Sequence, residues 1–170
     1  TTNLIANNNS KLDTIKINYG SGGTTKLTLD NSTLGTASTD DGDTTITASN
    51  NSKIDNLIGS YGTTKLTLDN STLDISNSSG GTTNIIANNN SKLGTINTIF
   101  SSTGDGNTTL TASNNSKIDT INTSSGIANL TLNNSTLSAG NATGGVTNIT
   151  ANDGSTISNY TTNKSGSASN

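Results

Sequence analysis

Short apolar residues alternate with polar ones along most of the chain, in segments such as Thr25-Lys26-Leu27-Thr28-Leu29-Asp30. A period of two marks a strand with one buried face. The segments also recur. The phrase LTLDNSTL fills 27–34 and again 66–73, and LTLNNSTL fills 130–137. Aligned on the serine of the phrase, the repeats fall at Ser10, Ser32, Ser52, Ser71, Ser91, Ser116, Ser135 and Ser155, at intervals of 22, 20, 19, 20, 25, 19 and 20 residues.

Alignment sorts the side chains into columns. Leu4, Leu27, Ile46, Leu66, Ile85, Leu110, Leu130 and Ile149 form one. Two residues later stand Ala6, Leu29, Ala48, Leu68, Ala87, Ala112, Leu132 and Ala151, and after the serine Leu12, Leu34, Ile54, Leu73, Leu93, Ile118, Leu137 and Ile157. These columns are aliphatic without exception, while the positions between them are polar: Lys26, Thr45, Lys65 and Asn84 in one line, Thr28, Thr47, Thr67, Thr111, Thr131 and Thr150 in another. Eight units of about 20 residues, each with two short strands and an Asn/Gly-rich turn, predict an all-β, right-handed parallel β-helix (β-solenoid) of about eight coils. At about 4.8 Å per coil the rod would be about 38 Å long. The register of leucine-rich repeats fails, because position 24 is Thr and Asn31 lies two places after Leu29.

Repeats with Ala in the second column carry one extra residue before the serine (ANNNS, ASNNS, ANDGS), whereas repeats with Leu there do not (LDNS, LNNS). A corner adjusted to the volume it wraps accounts for the pairing. The residues before the serines, Asn9, Asn31, Asn51, Asn70, Asn90, Asn115 and Asn134, are of the type that tolerates a left-handed corner and whose amides can ladder along the axis. The N-x-S/T triplets follow from the same repeated phrase and are weak glycosylation signals. Charges alternate too. Neutral Thr45 separates Lys26 from Lys65, Ser49 separates Asp30 from Asp69, and the line Lys11, Thr33, Lys53, Thr72, Lys92 breaks only at Lys92 and Lys117, beside the longest interval. Asp55 and Asp74, in contrast, should be unfavourable neighbours.

The tandem LTLDNSTL, ITASNNSKI and IIANNNSKL units of residues 1–158 resemble the parallel β-helix passengers of bacterial autotransporters and related secreted adhesins. The resemblance lies in the pattern, without a catalytic motif or a membrane barrel. It implies an extracellular, cell-surface rod, exported unfolded, that displays adhesive or self-associating faces.

Composition narrows the chemistry. Of the 170 residues none is Cys, Met, Trp, His, Pro, Arg, Glu or Gln, 26% are hydrophobic, and the net charge is -3. Acid-base catalysis would fall to Asp, Lys or Tyr, so no enzyme and no cofactor is expected; stacked Asp55 and Asp74 are the one pair with a sugar-cleaving precedent. Lacking Arg and nearly lacking aromatics, the chain is not expected to bind nucleic acid. No apolar run is long enough for a membrane helix, and the first residues carry no signal-type segment. The absence of Met points to a processed chain or an excised module.

Asp40, Asp41 and Asp43 crowd around Gly42, with a weaker echo in Gly104-Asp105-Gly106-Asn107. A Ca²⁺ loop needs six or more oxygens in set spacing, which is not written here, so a solvated turn is expected and a Ca²⁺ site at these three aspartates is the alternative. Tyr19, Tyr61 and Phe100 fall two coils apart after the second strand, where they cap a corner or form a contact stripe. The threonine file is reminiscent of ice-binding solenoids, but Ile5 and Ile86 interrupt it and charged lines flank it. Residues 159–170 lose the alternation and are expected to be a polar tail or linker. The expected function is a structural or adhesive surface rod, self-associating or bound to a host or neighbouring cell, and part of a longer chain or of an end-to-end assembly; a filament or matrix subunit and an ice-binding solenoid are the alternatives.

Overall fold

The computed structural model describes residues 1–18, 23–101 and 104–163. Each coil contributes two strands, one to each of two sheets. Coil 1 holds β1 (Thr2–Asn7) and β2 (Lys11–Ile17), coil 2 β3 (Thr24–Asp30) and β4 (Thr33–Thr39), and coil 3 β5 (Asp43–Ser49) and β6 (Lys53–Gly59). Coil 4 holds β7 (Thr63–Asp69) and β8 (Thr72–Ser79), and coil 5 β9 (Thr82–Asn88) and β10 (Lys92–Ser101), followed by the short β11 (Gly104–Asp105). Coil 6 is β12 (Asn107–Ser113) with β13 (Lys117–Thr123), coil 7 β14 (Ile127–Asn133) with β15 (Thr136–Ala142), and coil 8 β16 (Val146–Asn152) with β17 (Thr156–Thr162).

The first strands of the coils pair in sequence order to form an eight-stranded parallel sheet, and the second strands do the same in a second sheet; β11 turns back antiparallel on β10. The chain is therefore a parallel β-solenoid of eight coils. Registers such as Leu27↔Ile46↔Leu66↔Ile85 and Leu34↔Ile54↔Leu73↔Leu93 put all three aliphatic columns residue upon residue. Leu27, Leu29, Leu34, Ile46, Ile54 and Leu68 are fully buried, and burying such a side chain contributes about 1.5–3 kcal/mol. The last strand runs to Thr162, so residues 159–162, expected in the tail, belong to coil 8. Residues 164–170 lie outside the described residues.

The second sheet has a fourth inward column that plain alternation hides: Ile15, Ala37, Leu57, Ser76, Ile96, Ile121, Gly140 and Tyr160. After the third column two successive residues face outward, as Gly35 and Thr36 do between buried Leu34 and Ala37, and the strand bends there. The bend brings backbones close together. A Cβ on Gly35 would stand 2.5 Å from the Asp13 carbonyl oxygen, and one on Gly94 2.3 Å from that of Asp74. At the far end Tyr160 packs its ring over Gly140, where a Cβ would meet Cδ2 at 2.3 Å.

The two ends of each coil's cross-section differ. At one, β-strands join through Asn-Ser corners of two or three residues. At the other, two buried hydroxyl columns meet: Thr25, Thr44, Thr64, Thr83 and Thr108 from the first sheet, and Thr39, Ser78, Thr98 and Thr123 from the second. The hydroxyls bond across the interior, Thr39 to Thr64 at 2.7 Å, Thr98 to Thr108 at 2.7 Å and Thr147 to Thr123 at 2.8 Å.

Candidate functional site

Stacking converts the repeat into ruled surfaces, because each outward position lies against its equivalent one coil away. On the first sheet Lys26, Thr45, Lys65 and Asn84 form one line, and Ile5, Thr28, Thr47, Thr67, Ile86, Thr111, Thr131 and Thr150 the next. Ile5 and Ile86 are exposed within the threonine file. Asp30 stacks on Ser49, and Asp69 follows Leu68, the partner of Ala48. On the second sheet Lys11, Thr33, Lys53, Thr72 and Lys92 alternate, and Lys92 stands directly against Lys117.

Asp55 and Asp74 do lie on adjacent coils, between the paired positions Ile54↔Leu73 and Asn56↔Ile75. Lys53 removes the expected repulsion: its Nζ donates to Asp55 Oδ1 at 2.6 Å and pairs with Asp74 Oδ2 at 2.7 Å. Hydrogen bonding to Asp55, then to Asp74, holds the Lys53 ammonium well above the ordinary lysine range. Lys11 with Asp13, at 3.3 Å, and Lys117 with Asp119, at 2.8 Å, repeat the two-residue Lys-Asp spacing, which puts both side chains on one strand face. The carboxylate pair is thus one part of a charged line and lies on an open strand face.

The corner asparagines adopt the backbone expected of them. Asn9, Asn31, Asn51, Asn70, Asn90, Asn115 and Asn134 all have positive φ, between 46° and 64°. The longer corners contain two consecutive left-handed residues, as in Asn50-Asn51 and Asn89-Asn90, and the shorter ones only one. Amide bonds link some of the seven directly, Asn70 to Asn51 at 3.2 Å and Asn134 to Asn115 at 3.1 Å. Others run through neighbours: Asn50 and Asn89 each donate at 2.6 Å, to Asp30 and Asp69 respectively.

The serine used for alignment proves to be the buried half of the corner. Ser52 Oγ donates to the Ser49 carbonyl at 2.6 Å and accepts the Ser32 N–H at 3.1 Å; Ser91 accepts the Ser71 N–H at 3.2 Å. A second amide ladder, Asn77, Asn97 and Asn122, runs up the second sheet with bonds of 2.8 and 2.9 Å. Spacing from the serine would have revealed it, since each asparagine stands six residues after Ser71, Ser91 or Ser116.

Asp40, Asp41 and Asp43 occupy the turn before β5 and its first residue. The Asp40 N–H donates to the Ile17 carbonyl and the Asp43 N–H to that of Gly23. Among the described residues no group of three His, Cys, Asp or Glu side chains is placed to hold a metal ion. Asp105 in the weaker echo has no described side chain, nor has Phe100, and Tyr19 lies outside the described residues. Tyr61 is half-buried at the variable corner. Compared with family models, curated proteins and solved structures, the chain matches none. What defines it is the fold: a β-solenoid repeat protein with ruled polar faces.

Proposed function

We propose that the chain is an extracellular structural or adhesive surface protein, a stiff rod that presents repeated Thr, Asn, Lys and Asp lines to a neighbouring surface, in the manner of an autotransporter passenger. The observation that carries this reading is the unbroken register of outward positions over eight coils. Flat polar lines make individually weak contacts, but contacts repeated on a rigid frame engage together, and their avidity far exceeds any single one. From Ile127 to Asn163 the only charged residue is Asp153, so hydroxyl and amide lines cover coils 7 and 8, a quarter of the rod, while Lys and Asp lines rule the rest. The two parts suit uncharged and charged partner surfaces respectively.

Beads coated with the 170-residue chain should clump or adhere to cell or glycan surfaces, and adhesion through the charged lines should weaken with added salt. Surface exposure is tested by protease treatment of intact cells that express it. Beads that stay dispersed and unattached on every surface, or a chain that is protected until cells are lysed, would overturn this function.

A further inference from the structure

The outer face of the first sheet carries two charged lines with a neutral file between them. Lys26 and Lys65 stand on one side of the threonine file, in coils 2 and 4, and Asp30 and Asp69 stand on the other side in the same two coils. Coil 3, between them, is neutral on this face at Thr45, Thr47 and Ser49. The lysine and aspartate of one coil are four residues apart, about 13 Å along an extended strand, too far to pair. Among the described residues neither lysine forms an ion pair, and the two carboxylates accept amide bonds from Asn50 and Asn89. On the second sheet, by contrast, a two-residue spacing lets Lys11, Lys53 and Lys117 each pair with an aspartate of the same strand.

The file between the charged lines also carries an apolar residue in the interior of the rod. Ile86, in coil 5, lies between Thr67 and Thr111 and is 46% exposed. In coils 6 and 7 the three outward positions are neutral, Thr109, Thr111 and Ser113, then Asn129, Thr131 and Asn133. The face is therefore flat, with opposite charges on its two sides and none of them neutralised by the other.

We propose that this face pairs with the same face of a second copy, the two rods side by side and pointing the same way, about a two-fold axis that runs along the threonine file. The rotation carries the lysine line of each rod over the aspartate line of the other. Lys26 meets Asp30 of the second copy and Lys65 meets Asp69, each twice, so every charge of the two lines is paired. Facing sheets stand about 10 Å apart, a gap that a lysine and an aspartate span from opposite sides. Ile86 meets its own counterpart on the axis, and both leave water. A two-fold axis across the rods would instead set Lys26 against Lys65 and Asp30 against Asp69, while sliding the parallel rods by one coil would set the charges against Thr45 and Ser49. Charge thus selects both polarity and register. The contact is isologous and closes at two copies. Three outward positions per coil over eight coils make about 500 Å² on each molecule, which suits a weak, reversible pair. The pairing names the partner of one face within the surface-protein reading but rests on the first sheet alone; adhesion without a dimer, or a dimer without adhesion, separates the two.

Sedimentation equilibrium of the 170-residue chain, from micromolar to millimolar concentration, tests the pairing. A monomer-dimer equilibrium is expected, with a dissociation constant that rises with salt. Lys26→Asp with Lys65→Asp makes both lines acidic, and Asp30→Lys with Asp69→Lys makes both basic. Each variant alone should dimerise about tenfold more weakly, and an equimolar mixture should form a one-to-one complex tighter than either. Circular dichroism verifies the fold of each variant. The chain has no cysteine, so Thr131→Cys supplies a single thiol in coil 7. With the axis along the file that thiol stands opposite its own counterpart, and a short bis-maleimide should join the two copies; an axis across the rods would set them apart. A wild-type chain that remains monomeric throughout, a mixture no tighter than its separate variants, or a Thr131→Cys chain that escapes cross-linking would each overturn the proposal.

Discussion

The two ends of each coil solve the same problem, reversing the chain between sheets, in opposite ways. At the Asn-Ser corner the connection is always two or three residues, its asparagines are left-handed and its serine is buried and bonded to backbone on its own and adjacent coils. At the opposite corner the length ranges from two residues, Gly80 and Gly81 between Ser79 and Thr82, to the extension that carries β11. There the interior is held by hydroxyl pairs such as Thr39 and Thr64, which join one sheet to the other without using the loop. A corner whose side chains form the axial bonds must repeat its letters; a corner sealed from inside by threonines is free to vary. Conserved spelling along this chain therefore marks where the loop itself is part of the ladder.

The link between column and corner gives the largest expected effect. Leu68 is fully buried in β7, just before the two-residue corner Asn70-Ser71. Leu68→Ala should cost about 3 kcal/mol in urea unfolding, since it removes transferred area and leaves a cavity. Insertion of one Asn after Asp69 in that variant recreates the length of the Ala-type corner and should recover part of the loss. The same insertion in the wild type should only destabilise. If both insertions cost the same, corner length is not matched to the volume it encloses.

Next in size is the buried serine. Ser91 is 0% exposed and accepts the Ser71 N–H; Ser91→Ala leaves that buried donor unsatisfied and should cost about 2 kcal/mol. Ser60→Ala at the variable corner should stay within about 0.5 kcal/mol, as surface substitutions usually do. Equal losses at the two sites would erase the distinction between the corners.

Strand pairing and three of the four aliphatic columns were legible in the sequence, because a period of two superposed on a period of about 20 leaves little freedom of register. The left-handed asparagines were legible for the same reason. The fourth column was not. The bend after Leu34 and its equivalents puts two outward residues in succession, and Ser76 and Gly140 interrupt the apolar spelling of the column. The threonine columns were hidden by chemistry: Thr is common on exposed strands, and only the closed cross-section shows that Thr64 and Thr98 face inward and pair. Nor did charge spacing alone reveal that Lys53 holds Asp55 and Asp74 together, because that depends on how far a lysine reaches across one coil step.

A smaller effect separates backbone from side chain at the tight corner. Asn51 has φ 63° and its Oδ1 accepts from Asn70 at 3.2 Å. Asn51→Ala should cost about 1 kcal/mol, mostly for a left-handed Cβ residue, whereas Asn51→Gly keeps the backbone favourable and loses chiefly an exposed amide bond. Thermal unfolding should rank them wild type, Gly, Ala. A glycine variant no better than alanine would place the contribution of the ladder in its amides instead of its turn.

The smallest effect lies on the open faces, away from both corners. Lys53 bonds two carboxylates, but its side chain is 46% exposed, so solvent screens the attraction and the contribution is about 0.5 kcal/mol. Because folding raises the Lys53 pKa above its ordinary 10.5, the folded chain holds that proton more tightly than the unfolded one. The contribution is then complete below pH 10.5 and is lost as the pH climbs beyond it. Lys53→Gln should remove this part of the alkaline loss while leaving Asp55 and Asp74 to repel each other at neutral pH, so the variant should be less stable than wild type at pH 7 and gain more from added salt. Identical alkaline slopes and identical salt responses in the two chains would show that the charged line shapes the surface without supporting the coil beneath it, as the loops of the variable corner do.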